Sequence, residues 1–250
     1  MRLLSEINKH ERDERISFDE KSHTYYIDGS SDGVISTTTL IHHHFPKFEA
    51  DKIIKLMKNK KEKYPNMTDQ QIKDSWAKNG KNASENGTKM HKMIENYYNE
   101  IKNENEDITE FQYFLNFNET IKDKFEPFRT EWSVFDGKID LAGQIDMLYK
   151  IKNSDNYALY DWKRVKEIKK DNIFEKGLGK LSSLDHCNYN HYSLQLNIYK
   201  RILETRYDIK VTEMALVILH PENENYILEK IKDMSEYIDI IFNEREIEIN

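Results

Sequence analysis

The chain reads as a mixed α/β layer, a central mixed β-sheet flanked by helices, and three observations along its 250 residues predict it. A largely helical stretch fills about 49–123; strand-forming segments run from Phe128 to Trp162; one helix then crosses over before further strands. No Gly-, Ser- or Pro-rich linker divides the chain. A single domain of residues 1–250 is therefore expected, with 1–125 supplying an N-terminal β-hairpin and a helical wall and 126–250 the sheet-bearing core.

Each element follows from local chemistry. Ile16, Phe18, Tyr25, Tyr26 and Ile27 are strand formers, and a hairpin around Asp28-Gly29 is expected. Ser36 is placed to cap a helical turn through Leu40, Ile41 and Phe45 that Pro46 ends. Ile53, Ile54, Met57 and later Met90, Met93, Ile94, Tyr97 and Tyr98 recur at helical spacing, with Gly80 and Gly87 expected as interruptions. The helix carrying His91 should then start near Gly87 and Thr88 and run to about Ile101. Strands are expected at 131–135, 139–151 and 157–162, with turns at Asp136-Gly137 and 153–156. A loop over roughly 166–190 precedes a helix at 193–204, strands at 211–219 and 226–231, and a terminal helix at 234–242.

Composition narrows the function classes. With 33% charged, 38% hydrophobic and 12% aromatic residues the chain can bury a core, and no apolar run approaches the roughly eighteen residues of a membrane span. The acidic first twenty residues argue against a secretory or mitochondrial address, so an intracellular protein with no membrane partner is expected. Cys187 is the only cysteine, which excludes an intrachain disulfide, a four-cysteine zinc site and a self-contained iron-sulfur cluster. The net charge of −7 does not by itself suggest a nucleic-acid partner. The distribution is more informative: Lys47, Lys52, Lys55, Lys58, Lys60, Lys61 and Lys63 cluster in one segment, and Lys163, Arg164, Lys166, Lys169 and Lys170 in another. Either cluster can serve phosphate or simply be a solvated face.

The segment that carries chemistry is Gly143-Gln144-Ile145-Asp146, then a strand turn, then Tyr160-Asp161-Trp162-Lys163. Asp161 and Lys163 are two apart on one strand and share a face, while Trp162 points the other way. If 139–151 pairs with 157–163, Asp146 approaches Asp161 across the ladder. Facing carboxylates repel each other, and a divalent cation removes the conflict. A lysine beside that cation suits phosphodiester hydrolysis, since metal and ammonium together orient water and stabilise charge developing on phosphate. The alternative is that Asp-Trp-Lys is the solvent edge of a strand. His91 and Glu95, at i and i+4, share a helix face, so Glu95 can orient the imidazole or be an ordinary surface group. Gln195 and Tyr199 likewise share a face of the downstream helix, whose other side is apolar.

Together, Gly-x-Ile-Asp146, Asp161-Trp-Lys163, the upstream His91 after Gly87, and Gln195-x-x-x-Tyr199 resemble the PD-(D/E)XK nuclease superfamily in its RecB-like branch. His23-x-Tyr25 and Val34-Ile-Ser36-Thr37-Thr38 are similar to the mitochondrial genome maintenance exonuclease type, so the resemblance covers about 16–219. It implies a restriction-endonuclease-like core over 126–250. It implies that His91, Asp146, Asp161 and the Trp162 carbonyl bind Mg²⁺ or Mn²⁺, with Lys163 the catalytic lysine. Gln195 and Tyr199 would line the catalytic site and hold the strand being cut, and Ser36, Thr38 and Lys89 would meet the nucleic acid. No proline precedes Asp146, and the four cysteines of some relatives are absent, which implies a cluster-free subgroup without an iron-sulfur cofactor.

The expected function is a metal-dependent DNA exonuclease acting on single-stranded DNA or free ends, in replication, repair or recombination. A structure-selective endonuclease and a catalytically inactive DNA-binding module are the competing readings. Trp76, Tyr97 and Tyr98 are candidates for base stacking, against the simpler reading that they are core. His42-His43-His44 reads as exposed surface rather than a metal site, because consecutive helical residues diverge. The preference for Lys over Arg, with many Asn and Ile, suggests an AT-rich and so viral, phage or protist source.

Overall fold

The computed structural model describes residues 3–57 and 60–250, so Lys58 of the first lysine cluster lies outside the described residues. The chain begins with a short helix α1 (Leu4–Ile7) and a 3-10 turn, then the antiparallel hairpin β1 (Ile16–Asp19) and β2 (Thr24–Ile27). The hairpin reverses at 20–23, where His23 takes a φ of 51°, and not at Asp28-Gly29. Asp28 and Gly29 do adopt positive φ, 50° and 83°, but the tight turn they make closes only the single bridge from Ile27 to Ser30.

A two-residue strand β3 (Ile35–Ser36) leads into α2 (Thr37–His43), whose first turn is capped by the Ser36 hydroxyl accepting from Thr39 N–H. After α3 (Ala50–Leu56) and α4 (Lys60–Lys63) comes α5 (Asp69–Tyr98), a single 30-residue helix that passes straight through Gly80 and Gly87. A glycine costs a helix roughly 1 kcal/mol relative to alanine. Here a capping box between Thr68 and Gln71 and the buried Ile72 hold one end, and Met90, Met93, Ile94 and Tyr98 hold the other. The helix stops at Tyr98, not Ile101, because the Asn99 side chain turns inward to accept the Leu4 N–H.

Next come α6 (Thr109–Ile121), β4 (Phe125–Asp136), β5 (Leu141–Ile151), β6 (Tyr157–Lys163), α7 (Asn188–Arg206), β7 (Val211–Ile218), β8 (Ile227–Lys230) and α8 (Ser235–Ile249). Helix α7 starts five residues earlier than its apolar pattern suggests, since Asn188 to His191 are polar. Helix α8 continues past Phe242, because Arg245 is buried and donates to the carbonyls of Ile139 and Gly33.

Six strands form one mixed sheet in the order β3-β5-β6-β7-β8, with β4 on the far edge of β5. Strands β3 and β5 are parallel, as are β6 and β7, while β4–β5, β5–β6 and β7–β8 are antiparallel. Leu40, Leu194, Ile198 and Ile241 bring α2, α7 and α8 against one apolar cluster. Ile94, Tyr98, Phe114 and Phe117 from α5 and α6 meet Tyr160 and Trp162 in another. Among the described residues no helix is long and apolar enough to cross a membrane.

Candidate metal and catalytic site

The site is made by a fork in the sheet. One edge of β5 is shared: Leu141 and Ala142 pair with β3, and Met147 to Lys150 pair with β6. Residues 143–146 between them have no strand partner on that edge, and β6 runs on past Tyr160 to Lys163 paired only with β7. Asp146 and Asp161 are the first positions beyond the last β5–β6 pair, Met147 with Tyr160. The Trp162 N–H donates instead to Asp146 Oδ2 at 2.8 Å, so a side chain replaces the missing ladder bond.

Gly143 opens the floor of the fork. A Cβ there would lie 2.5 Å from the Tyr199 ring and 2.7 Å from Thr37 Oγ1, so only glycine lets α7 and α2 approach this closely. Glu131, on β4, falls opposite Asp146 in the β4–β5 register. Its φ of 46° breaks the regular ladder, and its carbonyl accepts from the Gln144 side chain at 3.1 Å.

His91, delivered by α5, faces this corner. Its Nε2–H donates to the Trp162 carbonyl at 3.1 Å, while Nδ1 lies 3.4 Å from Glu131 Oε1 and 3.7 Å from Asp146 Oδ2. His91, Glu131 and Asp146 each offer one ligand atom within 4.8 Å of the others. On the α7 side Lys163 Nζ contacts Asp161 Oδ2 at 2.6 Å, donates to Gln195 Oε1 at 3.4 Å and lies 4.6 Å from the centre of the Tyr192 ring. Gln195 Nε2 donates to the Tyr199 hydroxyl at 3.2 Å. Trp162 points the other way, into Phe114 and Phe117.

The electrostatics are those of a desolvated anion cluster. Burial, then repulsion from Asp146, raises the Asp161 pKa to about 7 against the pull of Lys163. Burial raises Asp146 too, with Glu131 adding to it. At His91 burial opposes the charged form, but Asp146 and Glu131 outweigh it and bring the pKa up to about 9. Burial likewise works against the Lys163 ammonium, and Asp161 and Asp146 reverse the effect, so it stays protonated.

These residues fit a hard divalent cation. Imidazole and carboxylate donors converge at one corner, the Trp162 carbonyl fixes the imidazole from its other nitrogen, and Asp161 Oδ1 is buried without a hydrogen-bond partner. Asp161 itself lies outside the His91–Glu131–Asp146 group, held against Lys163.

The other expected residues fall as follows. Glu95 does not orient His91: its carboxylate is taken by Lys92 at 2.6 Å, and the imidazole turns to the sheet. Ser36 spends its hydroxyl on the α2 cap, whereas Thr38 and Lys89 are exposed. Tyr98 is not available for stacking, since it is buried with its hydroxyl 2.5 Å from that of Tyr149, and Trp76 Nε1 donates to the Tyr64 hydroxyl. Tyr97 keeps an exposed edge over Phe114. His42 and His43 are exposed and His44 is half-buried, 3.6 Å from Glu244. Sequence reasoning missed Glu131 and Tyr192. A two-residue turn at the expected Asp136-Gly137 would put Glu131 opposite Ala142; the strands instead connect through 137–140, with Asp136 paired to Leu141, which brings Glu131 opposite Asp146, and no local pattern marks Tyr192.

No family model matches the chain, and no curated protein is similar to it. Among solved structures it is similar to one titled "Crystal structure of SSO0001", at a TM-score of 0.32 and 14% identity, over 88% of this chain and 78% of that one. So distant a likeness says nothing about chemistry.

Proposed function

We propose that this chain is a divalent-cation-dependent deoxyribonuclease that hydrolyses phosphodiester bonds, acting as an exonuclease on single-stranded DNA or free ends. The observation that supports this reading is the fork itself, where three side chains able to ligate a metal lie beside a buried lysine paired with Asp161. His91, Glu131 and Asp146 would hold Mg²⁺ or Mn²⁺, with the Trp162 carbonyl orienting the imidazole by accepting from Nε2–H. Such an ion supplies Lewis-acid polarisation of a phosphate and a more acidic water.

The chain's own groups supply the remainder. Lys163 Nζ presents fixed positive charge where negative charge develops on the phosphate, and burial makes that charge worth more than it would be in water. Asp161 keeps the ammonium protonated and aimed. Gln195 and Tyr199 brace Lys163 through one continuous hydrogen-bond run, so its position does not depend on a flexible stem.

The test is digestion of end-labelled linear and circular single strands by the purified chain, with Mn²⁺ or Mg²⁺ and with chelator. Loss of label from linear strands only, abolished by chelator and reduced about 10²- to 10³-fold in Lys163→Ala, is the expected result. Cutting of circles would replace the exonuclease assignment by an endonuclease, and strand binding with no cleavage would leave a binding module.

A further inference from the structure

Beside Lys163, between α2 and the start of α7, lies a cavity of about 350 Å³, within the range of small-molecule sites. Among the described residues no Lys, Arg, Asp or Glu lines it. Its wall is aromatic: the His186 and His191 rings stack, with centroids 5.0 Å apart and planes 15° from parallel, and Phe45 backs His191 at 4.2 Å. Ile41 adds an apolar patch, and Thr38, Asn188 and Gln195 bring uncharged polar groups.

The aromatic wall and the uncharged polar side chains around it suit a flat, polar-edged occupant. His191 Nε2 and His186 Nδ1 are buried within this wall, closed off from solvent, and Glu175 lies 3.3 Å from the latter nitrogen. Burial, then the neighbouring His186 and His42, lowers the His191 pKa to about 4, so its ring is neutral at ordinary pH. A lining without Lys or Arg is poor for phosphate, and its rings and amide and hydroxyl side chains suit a ring with donors and acceptors on its rim. The cavity shares Gln195 and Tyr192 with Lys163, so an occupant adjoins whatever lies at that lysine.

We propose that this cavity receives one unpaired nucleobase of the strand whose backbone lies at Lys163, the base stacking against the His186–His191 wall and meeting Thr38, Asn188 and Gln195 with its polar edge. This rests on the nuclease reading of the neighbouring site and explains why that site would favour single strands: a base held in a duplex cannot enter.

The experiment uses the full chain in chelator, so that binding is read apart from cleavage. Fluorescence anisotropy compares a short labelled thymidine strand with an abasic strand of equal length. One stacked base is worth about 5- to 150-fold in affinity. Wild type should prefer the thymidine strand by at least that lower factor; His191→Ala should lose most of the preference, and His191→Phe, which keeps a ring, should retain it. Because His191→Ala removes packing, a wild-type measurement accompanies it: a strand carrying 5-iododeoxyuridine, irradiated with the protein, should crosslink within 38–42 or 186–192. Equal affinity for both strands in all variants, or crosslinks confined to other segments, overturns the proposal. If the same protein nevertheless cuts DNA with Mn²⁺, the nuclease reading survives that failure. Crosslinking at the cavity in a chain that cuts nothing would instead retain the base site and remove the nuclease.

Discussion

Glu131 illustrates how a single residue completes a site. With Asp146 it flanks the His91 imidazole, and its backbone leaves the regular strand conformation to do so. Glu131→Gln keeps the shape and removes the charge. We expect it to weaken Mn²⁺ binding, measured by calorimetry, by about tenfold or more, with the melting temperature little changed; unchanged affinity would remove Glu131 from the ligand set. Gly143 acts by absence. Gly143→Ala forces a methyl into the Tyr199 ring and Thr37, and overpacking of this kind costs about 1–3 kcal/mol. Because Tyr199 braces Gln195, and Gln195 braces Lys163, cleavage should fall further than stability alone explains, which activity assays well below the melting point would show.

At the level of elements, the N-terminal segment is fastened to the sheet by Asp13. Its carboxylate accepts from Arg129 and from the Trp132 indole, both at 2.7 Å, and from the His10 N–H at 3.0 Å. Arg129 is buried, so Asp13→Ala strands a charge that water cannot reach, and about 3 kcal/mol of stability should be lost in denaturant titration. The pH dependence has a definite sign. Burial pushes the Asp13 pKa up, but the Arg129, His10 and Trp132 hydrogen bonds leave it below 3.8. Its contribution is therefore present above that value and is lost as the pH falls below it, and the variant should lack this acid-side loss. Helix α5 shows the opposite economy, with a solvated middle anchored only at its two ends, which is why two glycines are tolerated there.

Over the whole molecule, the distribution of charge is not what counting lysines suggests. Every member of the second basic cluster has a carboxylate neighbour: Lys163 with Asp161, Arg164 with Glu110, Lys166 with Glu222, Lys169 with Glu167, and Lys170 with Glu229. In the first cluster, Lys47, Lys52, Lys55, Lys61 and Lys63 have no carboxylate partner among the described residues, while Lys60 pairs with Asp69. Three to five phosphates neutralised by these lysines would give single-strand binding a salt slope of about −2 to −3.5. Lys61→Ala should flatten that slope, and Lys166→Ala should leave it nearly unchanged; equal effects would show that the ion pairs do not occupy the second cluster.

The amino-acid order alone determined the mixed layer, the Ser36 cap, the strands bearing Gly143 to Asp146 and Tyr160 to Lys163, and the shared face of Asp161 and Lys163. All of these depend on rules that act within one turn or one pleat. Only the tertiary structure decided where β5 and β6 part, that Glu131 rather than Asp161 joins His91 and Asp146, that Tyr98 is core, and that a neutral cavity opens beside Lys163. Those outcomes depend on where strand pairing stops and on how two helices from opposite faces meet the resulting gap, and such distances are set by packing between residues far apart in the chain.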